Sequence, residues 1–121
     1  MGFQEFQMKK LSLSLIAGSA LLALAAWLPA HSAVDVDAAQ ALFKKNECSK
    51  CHSVDKTKSG PALKKIALKY KGKADGQDKV IKQITTAPKV KNEDGADEEH
   101  KVINTKDPVA LRNLADWILS Q

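Results

Sequence analysis

The chain has 121 residues and a formal net charge of +5. Its length allows one small domain and excludes a large multidomain enzyme. After residue 32 its only aromatic side chains are Phe43, Tyr70 and Trp117, so a nucleic-acid site built on stacked bases is not expected. A domain of fewer than 90 residues buries little more than about 60% of its unfolded surface. A bound metal or cofactor is therefore expected to help stabilise it.

The first 32 residues have the pattern of a secretory signal. Lys9 and Lys10 precede an apolar run at 11–28, and the segment PAHSA at 29–33 supplies a cleavage site. We expect cleavage near residues 32 and 33, which leaves a domain at 33–121 in the periplasm, free of the membrane. The alternative is an uncleaved anchor, because a helix of 18 residues rising about 1.5 Å per residue nearly spans the bilayer core.

The charges of the remaining chain are unevenly distributed. Residues 44–91 contain fourteen lysines and four acids, whereas residues 92–121 contain seven acids and three basic residues. This division predicts a basic face and an acidic face. The basic face is either an ordinary solvated surface or a docking patch for an acidic partner.

Apolar residues spaced three and four apart predict three helices in the first part of this domain. The first covers 37–46, with Asp37 as N-cap, Gln40 three residues later and Leu42 on its apolar side. The second follows the break at 59–61 and ends by Gly72. The third covers 75–86, because Pro88 prevents its continuation.

The last helix has the clearest signals of the chain. Asp107 is a suitable N-cap, Pro108 occupies the first helical position, and Leu111, Leu114 and Ile118 form an apolar stripe. Residues 89–105 have no period and are predicted to be a loop. The expected class is all-α, with about four short helices.

The segment Cys48-Ser49-Lys50-Cys51-His52 is a C-x-x-C-H motif in an exported chain, where this spacing indicates covalent haem attachment. Two thiols three residues apart can each add to one haem vinyl group, and His52 then lies next to the iron as a ligand. Three other readings stay open: a thioredoxin-like dithiol, a zinc site and a Cys48–Cys51 disulfide. The dithiol lacks a βαβ setting, and zinc lacks a second ligand pair.

The chain resembles a class I cytochrome c of the short bacterial type over residues 35–121. The resemblance rests on DAAQALFKKNECSKCHSVD, SGPALKKIA and LRNLADWILSQ. It implies one covalently attached haem c per chain, with the terminal helices packed so that Leu42 and Phe43 lie near Trp117. It also implies that the Pro61 carbonyl binds the other ring nitrogen of His52. Such proteins are electron carriers that serve redox partners, and not enzymes.

The chain departs from this family at the second axial ligand, normally a methionine before the last helix. No methionine follows residue 32. Family members often read Met-x-x-Asn, and matching that asparagine to Asn104 puts the ligand position at Lys101, one residue after His100. We predict that His100 is the distal ligand. The alternatives are a solvated His100 paired with the acids at 97–99, whose charges favour its protonated form, and a ligand at Lys101 or Lys91.

The sequence therefore predicts a periplasmic, monomeric, single-electron carrier with low-spin bis-histidine haem. Lys44, Lys50 and Lys56, which flank the haem motif, are the predicted docking contacts. The alternative function is a five-coordinate haem protein that binds a small gas or has weak peroxidase activity.

Overall fold

Four α-helices are the main regular elements of residues 32–121, the part of the chain that this computed structural model describes. The predicted signal segment lies outside it, apart from Ser32. The elements in chain order are α1 (Val36–Lys45), α2 (Leu63–Tyr70), α3 (Gly76–Thr85), β1 (Lys89–Lys91), β2 (Asp97–Glu99) and α4 (Pro108–Leu119). One turn of 3₁₀ helix covers Cys48–Lys50. The predicted all-α class is confirmed, and between residues 32 and 121 no helix has the length and apolarity to cross a bilayer.

Aspartate side chains begin the first and last helices. The Asp107 carboxylate accepts a hydrogen bond from the Val109 N–H at 2.9 Å, and Pro108 is the first residue of α4, as predicted. The predicted N-cap of α1, Asp37, is wrong by two residues. The capping carboxylate belongs to Asp35, which accepts a hydrogen bond from the Ala38 N–H at 3.0 Å. Asp37 lies instead in the first turn, where the helix dipole favours its negative charge.

Helices α1 and α4 pack against each other, as the resemblance implied. The rings of Phe43 and Trp117 meet edge to face with their centres 5.3 Å apart. Asp35 and Asn113 exchange two hydrogen bonds of 2.8 Å, which tie the start of α1 to α4. Leu114 and Ala115 are fully buried beside these contacts, so the two helices form one side of the hydrophobic core.

The predicted loop at 89–105 is wrong for six of its residues, which form an antiparallel hairpin. Its register pairs Lys89 with Glu99 and Lys91 with Asp97, so opposite charges face each other across the strands. Gly95 lies in the intervening turn with φ 84°, a backbone conformation that glycine adopts without strain. Strands of three residues are too short to produce a detectable alternation of apolar and polar side chains.

Candidate functional site

A cavity of about 530 Å³ lies against the C-x-x-C-H segment. Cys48, Cys51 and His52 form part of its wall, and His100 lies in the wall as well. The rest is mainly apolar, and much of it comes from α2, α3 and α4, including Leu63, Ile66, Val80, Ile84, Leu114 and Ile118. Such a wall suits a large planar group whose faces are apolar.

The 3₁₀ turn brings both cysteines and the following histidine to this cavity. The N–H groups of Cys51 and His52 both donate to the Cys48 carbonyl, at 3.1 and 2.9 Å. Both thiols are half-buried and unbridged. Burial raises the pKa of the Cys48 thiol above its usual range, which favours its neutral form.

The His52 imidazole is held by the loop that returns to it. Its Nδ1 lies 2.7 Å from the Pro61 carbonyl oxygen. Since a carbonyl only accepts, Nδ1 is the protonated nitrogen, and Nε2 keeps a free lone pair for a metal. The contact that the resemblance implied between His52 and Pro61 is therefore present.

Gly60 lies against the same imidazole and was not singled out from the sequence. Its φ is outside the left-handed region, so glycine is not needed there for backbone freedom. A Cβ at this position would lie 2.6 Å from Cε1 of His52 and 3.1 Å from each ring nitrogen. Gly60 also donates its N–H to the Cys51 carbonyl at 2.9 Å. The missing side chain therefore leaves the space that the ring occupies.

His100 follows directly after β2. Its N–H donates to the Pro88 carbonyl at 2.9 Å, and its Nδ1 lies 2.9 Å from the Lys101 carbonyl oxygen. The side chain is half-buried, and this burial is the main reason that its pKa lies below the usual value. The sequence-based expectation that the neighbouring acids favour the protonated form is wrong in its net direction, because the smaller effect of Glu98 does not offset burial.

The His52 and His100 rings have their centres 6.1 Å apart and are tilted at an interplanar angle of 43°. An imidazole nitrogen binds a first-row metal at about 2 Å and lies roughly 1 Å from its own ring centre, so two rings on one metal have centres about 6 Å apart. The observed separation matches this value. The residues present therefore fit a haem: two thiols and two imidazoles line one mainly apolar cavity.

Two residues directly before Cys48 bind the segment that follows His100. The buried Asn46 side chain accepts from the Asn104 N–H at 2.7 Å and donates to the Leu42 carbonyl at 2.9 Å. The Glu47 carboxylate contacts Lys101 and Lys50, each at 2.6 Å. These contacts lower the Glu47 pKa to about 2, with the Lys101 hydrogen bond as the largest cause. Sequence patterns carried no signal for the contacts with Asn104 and Lys101, because these partners lie more than fifty positions from Asn46 and Glu47.

Both lysines that were alternatives to His100 lie beside the cavity, but each has a carboxylate partner. Lys91 pairs with Asp97 at 2.9 Å, and Lys101 pairs with Glu47. Either lysine would have to leave its carboxylate and lose a proton before it could bind a metal. The arrangement thus favours His100.

The three predicted docking lysines, Lys44, Lys50 and Lys56, are all exposed. They lie on α1, on the 3₁₀ turn and on the loop after His52, so along the chain they come before, within and after the C-x-x-C-H segment. Lys50 pairs with Glu47, whereas the described structure shows no ion pair for the other two.

Comparisons with known proteins point to one family. A family model described as Cytochrome c matches residues 36–121. The crystal structure of the class 1 cytochrome MtoD from Sideroxydans lithotrophicus ES-1 is similar, with 57% identity and a TM-score of 0.70, over 73% of this chain and 97% of that one. Cytochrome c-552 of Nitrosomonas europaea is 36% identical over 93% of this chain and 98% of its own. Cytochrome c-551 of Pseudomonas aeruginosa is 30% identical over 90% and 93%.

Proposed function

Because this chain belongs to the cytochrome c family, it is an electron carrier with a covalently attached haem c, and we propose that two histidines bind its iron in a low-spin state. The haem iron supplies a ferric/ferrous couple that gains and loses one electron. In this proposal Cys48 and Cys51 form the thioether links. His52 is the proximal ligand and His100 is the distal ligand.

The observation that carries the proposal is the separation of the His52 and His100 imidazoles. Their centres are 6.1 Å apart, which is the separation expected for two rings on one metal. Each ring also has its Nδ1 against a backbone carbonyl, that of Pro61 for His52 and that of Lys101 for His100. Histidines that bind metals almost always donate the other ring N–H in this way, and the hydrogen bond leaves Nε2 free on both rings.

Each hydrogen bond also fixes the orientation of its ring, since rotation about the Cβ–Cγ bond would break it. The half-buried position of His100 favours the neutral imidazole that binding requires. The cavity that both rings line is mainly apolar. These residues therefore keep the same ligand set through oxidation and reduction, which a one-electron carrier requires.

Replacement of the usual methionine by His100 has a consequence for the reduction potential. A thioether ligand raises the potential of haem iron, and an imidazole removes that stabilisation of the ferrous state. We expect a lower potential than that of methionine-ligated relatives, measured under the same conditions. A potential as high as theirs would contradict the assignment of His100.

The proposal includes a place and a kind of partner. The basic residues, apolar run and small-residue site of the first 32 residues support export, removal of the signal and a periplasmic domain at 33–121. The exposed Lys44, Lys50 and Lys56 around the haem motif support docking of acidic redox partners. If they steer docking, electron-transfer rates with such a partner should fall as ionic strength rises.

The test compares the purified holoprotein with His100→Ala and, as a matched control, Lys91→Ala. We expect low-spin ferric spectra for the wild type and the control, and a high-spin spectrum for His100→Ala. Reduced His100→Ala should bind carbon monoxide rapidly and completely, whereas the wild type should bind it slowly. A low-spin spectrum that survives in His100→Ala would exclude His100 as the ligand. Rapid, complete binding by the wild type would indicate the five-coordinate gas-binding or peroxidase alternative.

A further inference from the structure

Glu47 has a backbone conformation that residues other than glycine rarely adopt. Its φ of 57° and ψ of 22° lie in the left-handed helical region, directly before Cys48. Such strained residues persist at functional sites where surrounding contacts hold them. The Glu47 side chain is therefore expected to do something that glycine, which would relieve the strain, could not do.

The carboxylate of Glu47 joins the haem-attachment turn to a distant part of the chain. One oxygen contacts Lys50 of the turn, and the other contacts Lys101, 54 positions further along, at 2.6 Å. Lys101 is next to His100, and its carbonyl oxygen is the acceptor for His100 Nδ1. The ion pair thus reaches the residue whose backbone orients the distal imidazole.

Asn46 provides a second connection of the same kind. Its side chain accepts the N–H of Asn104 at 2.7 Å, at the other end of the segment 101–104. Asn46 is buried and is also bound to the Leu42 carbonyl, so this end is firmly held. The Lys101 end depends on the exposed pair with Glu47, which makes that pair the more easily opened of the two connections.

We propose that Glu47 is a positioning residue for the distal ligand, and that its ion pair with Lys101, here called the latch, slows the release of His100 from the iron. The inference rests on the proposed role of His100. The latch does not touch the iron or either imidazole. It acts by restraining the segment on which His100 is mounted.

The rate at which excess carbon monoxide binds the reduced holoprotein measures this release, because the distal position must first become free. A single exposed ion pair supports an effect of about two- to fivefold. Glu47→Gln and Lys101→Gln should therefore each bind carbon monoxide about two to five times faster than the wild type. The double variant should be no faster than either single variant, since both changes remove the same Glu47–Lys101 pair.

A matched control is Lys79→Gln, which removes an exposed ion pair with Asp75 of 2.9 Å on α3. Its rate should equal that of the wild type. High salt should speed the wild type towards the rate of Glu47→Gln and leave that variant unchanged, because salt screens exposed pairs.

The variant Glu47→Gly distinguishes loss of the latch from a general loss of stability of the fold. Glycine relieves the left-handed strain, so the thermal midpoint should not fall, while carbon monoxide should still bind faster than in the wild type. A lower midpoint together with faster binding would indicate general loosening and would overturn the latch.

The outcomes also distinguish the latch from the proposed function. If the wild type binds slowly and Glu47→Gln binds at the same slow rate, the latch is wrong and the role of His100 stands. If the wild type, Glu47→Gln and His100→Ala all bind equally fast, His100 is not the ligand and both proposals fail.

Discussion

A methyl group added at Gly60 should displace the proximal imidazole. In Gly60→Ala the new Cβ would lie 2.6 Å from Cε1 of His52, a contact that folded proteins do not tolerate. Neither the His52 ring nor the Gly60 backbone can move freely. The ring is hydrogen-bonded to the Pro61 carbonyl, and the Gly60 N–H is bonded to the Cys51 carbonyl.

The size of the effect follows from these distances. The contact must lengthen by about 0.8 Å to reach ordinary van der Waals separation, which begins at 3.4 Å. Overpacking of this kind costs about 1–3 kcal/mol. In a domain of this size, each kcal/mol lowers Tm by about 4–8 °C.

The direction in which Gly60→Ala changes the unfolding free energy distinguishes the clash from an ordinary backbone effect. The φ of Gly60 is not in the left-handed region, and alanine at such a position usually stabilises a protein by about 0.4–1 kcal/mol through the unfolded state. The clash instead predicts that Gly60→Ala is less stable than the wild type. It also predicts a change in the ferric electron paramagnetic resonance spectrum, because the His52 ring must tilt.

The assay measures Tm and this spectrum for the holoprotein, Gly60→Ala and the neighbouring control Ser59→Ala. Ser59 is exposed, and the control should match the wild type in both measurements. Unchanged spectra together with an equal or higher Tm in Gly60→Ala would refute the steric argument.

Three further predictions concern stability. The Glu47 pKa is lowered to about 2, mainly by Lys101, so the pair contributes stability above the ordinary value of 4.5 and loses it as pH falls towards 2. The difference in unfolding free energy between the wild type and Glu47→Gln should shrink over that range, and a constant difference would contradict the pairing. Trp117→Ala removes the edge-to-face contact with Phe43 and should cost about 3–5 kcal/mol in denaturant unfolding, whereas a cost below about 1 kcal/mol would mean that this part of the core is loosely packed. Asp107→Ala removes the N-cap of α4 and should cost about 1 kcal/mol, and no change in Tm would show that another group satisfies the Val109 N–H.

The sequence predicted the helices and the haem motif well because both depend on local patterns. Asp107 and Pro108 are adjacent residues and together mark the start of α4. Cys48, Cys51 and His52 are within five positions, so their spacing alone brings them to one turn. The crossing of α1 and α4 came from the family resemblance and not from any local pattern.

The missed features depend on contacts between distant segments. The strands of the hairpin are too short to show a period of two in the sequence. The N-cap of α1 was assigned to Asp37 and not to Asp35, because an aspartate suits that role at either position. Gly60 was interpreted as part of a chain break, although its close approach to His52 requires the folded loop. The acids at 97–99 suggested a protonated His100, because burial of the ring is visible only in the fold.

The most direct test of the account is a high-resolution crystal structure of the oxidised holoprotein. The account predicts that Nε2 of His52 and Nε2 of His100 both lie about 2 Å from the iron, with each Nδ1 still bound to its backbone carbonyl. A water, a lysine nitrogen or an open position opposite His52, with His100 turned towards solvent, would contradict it.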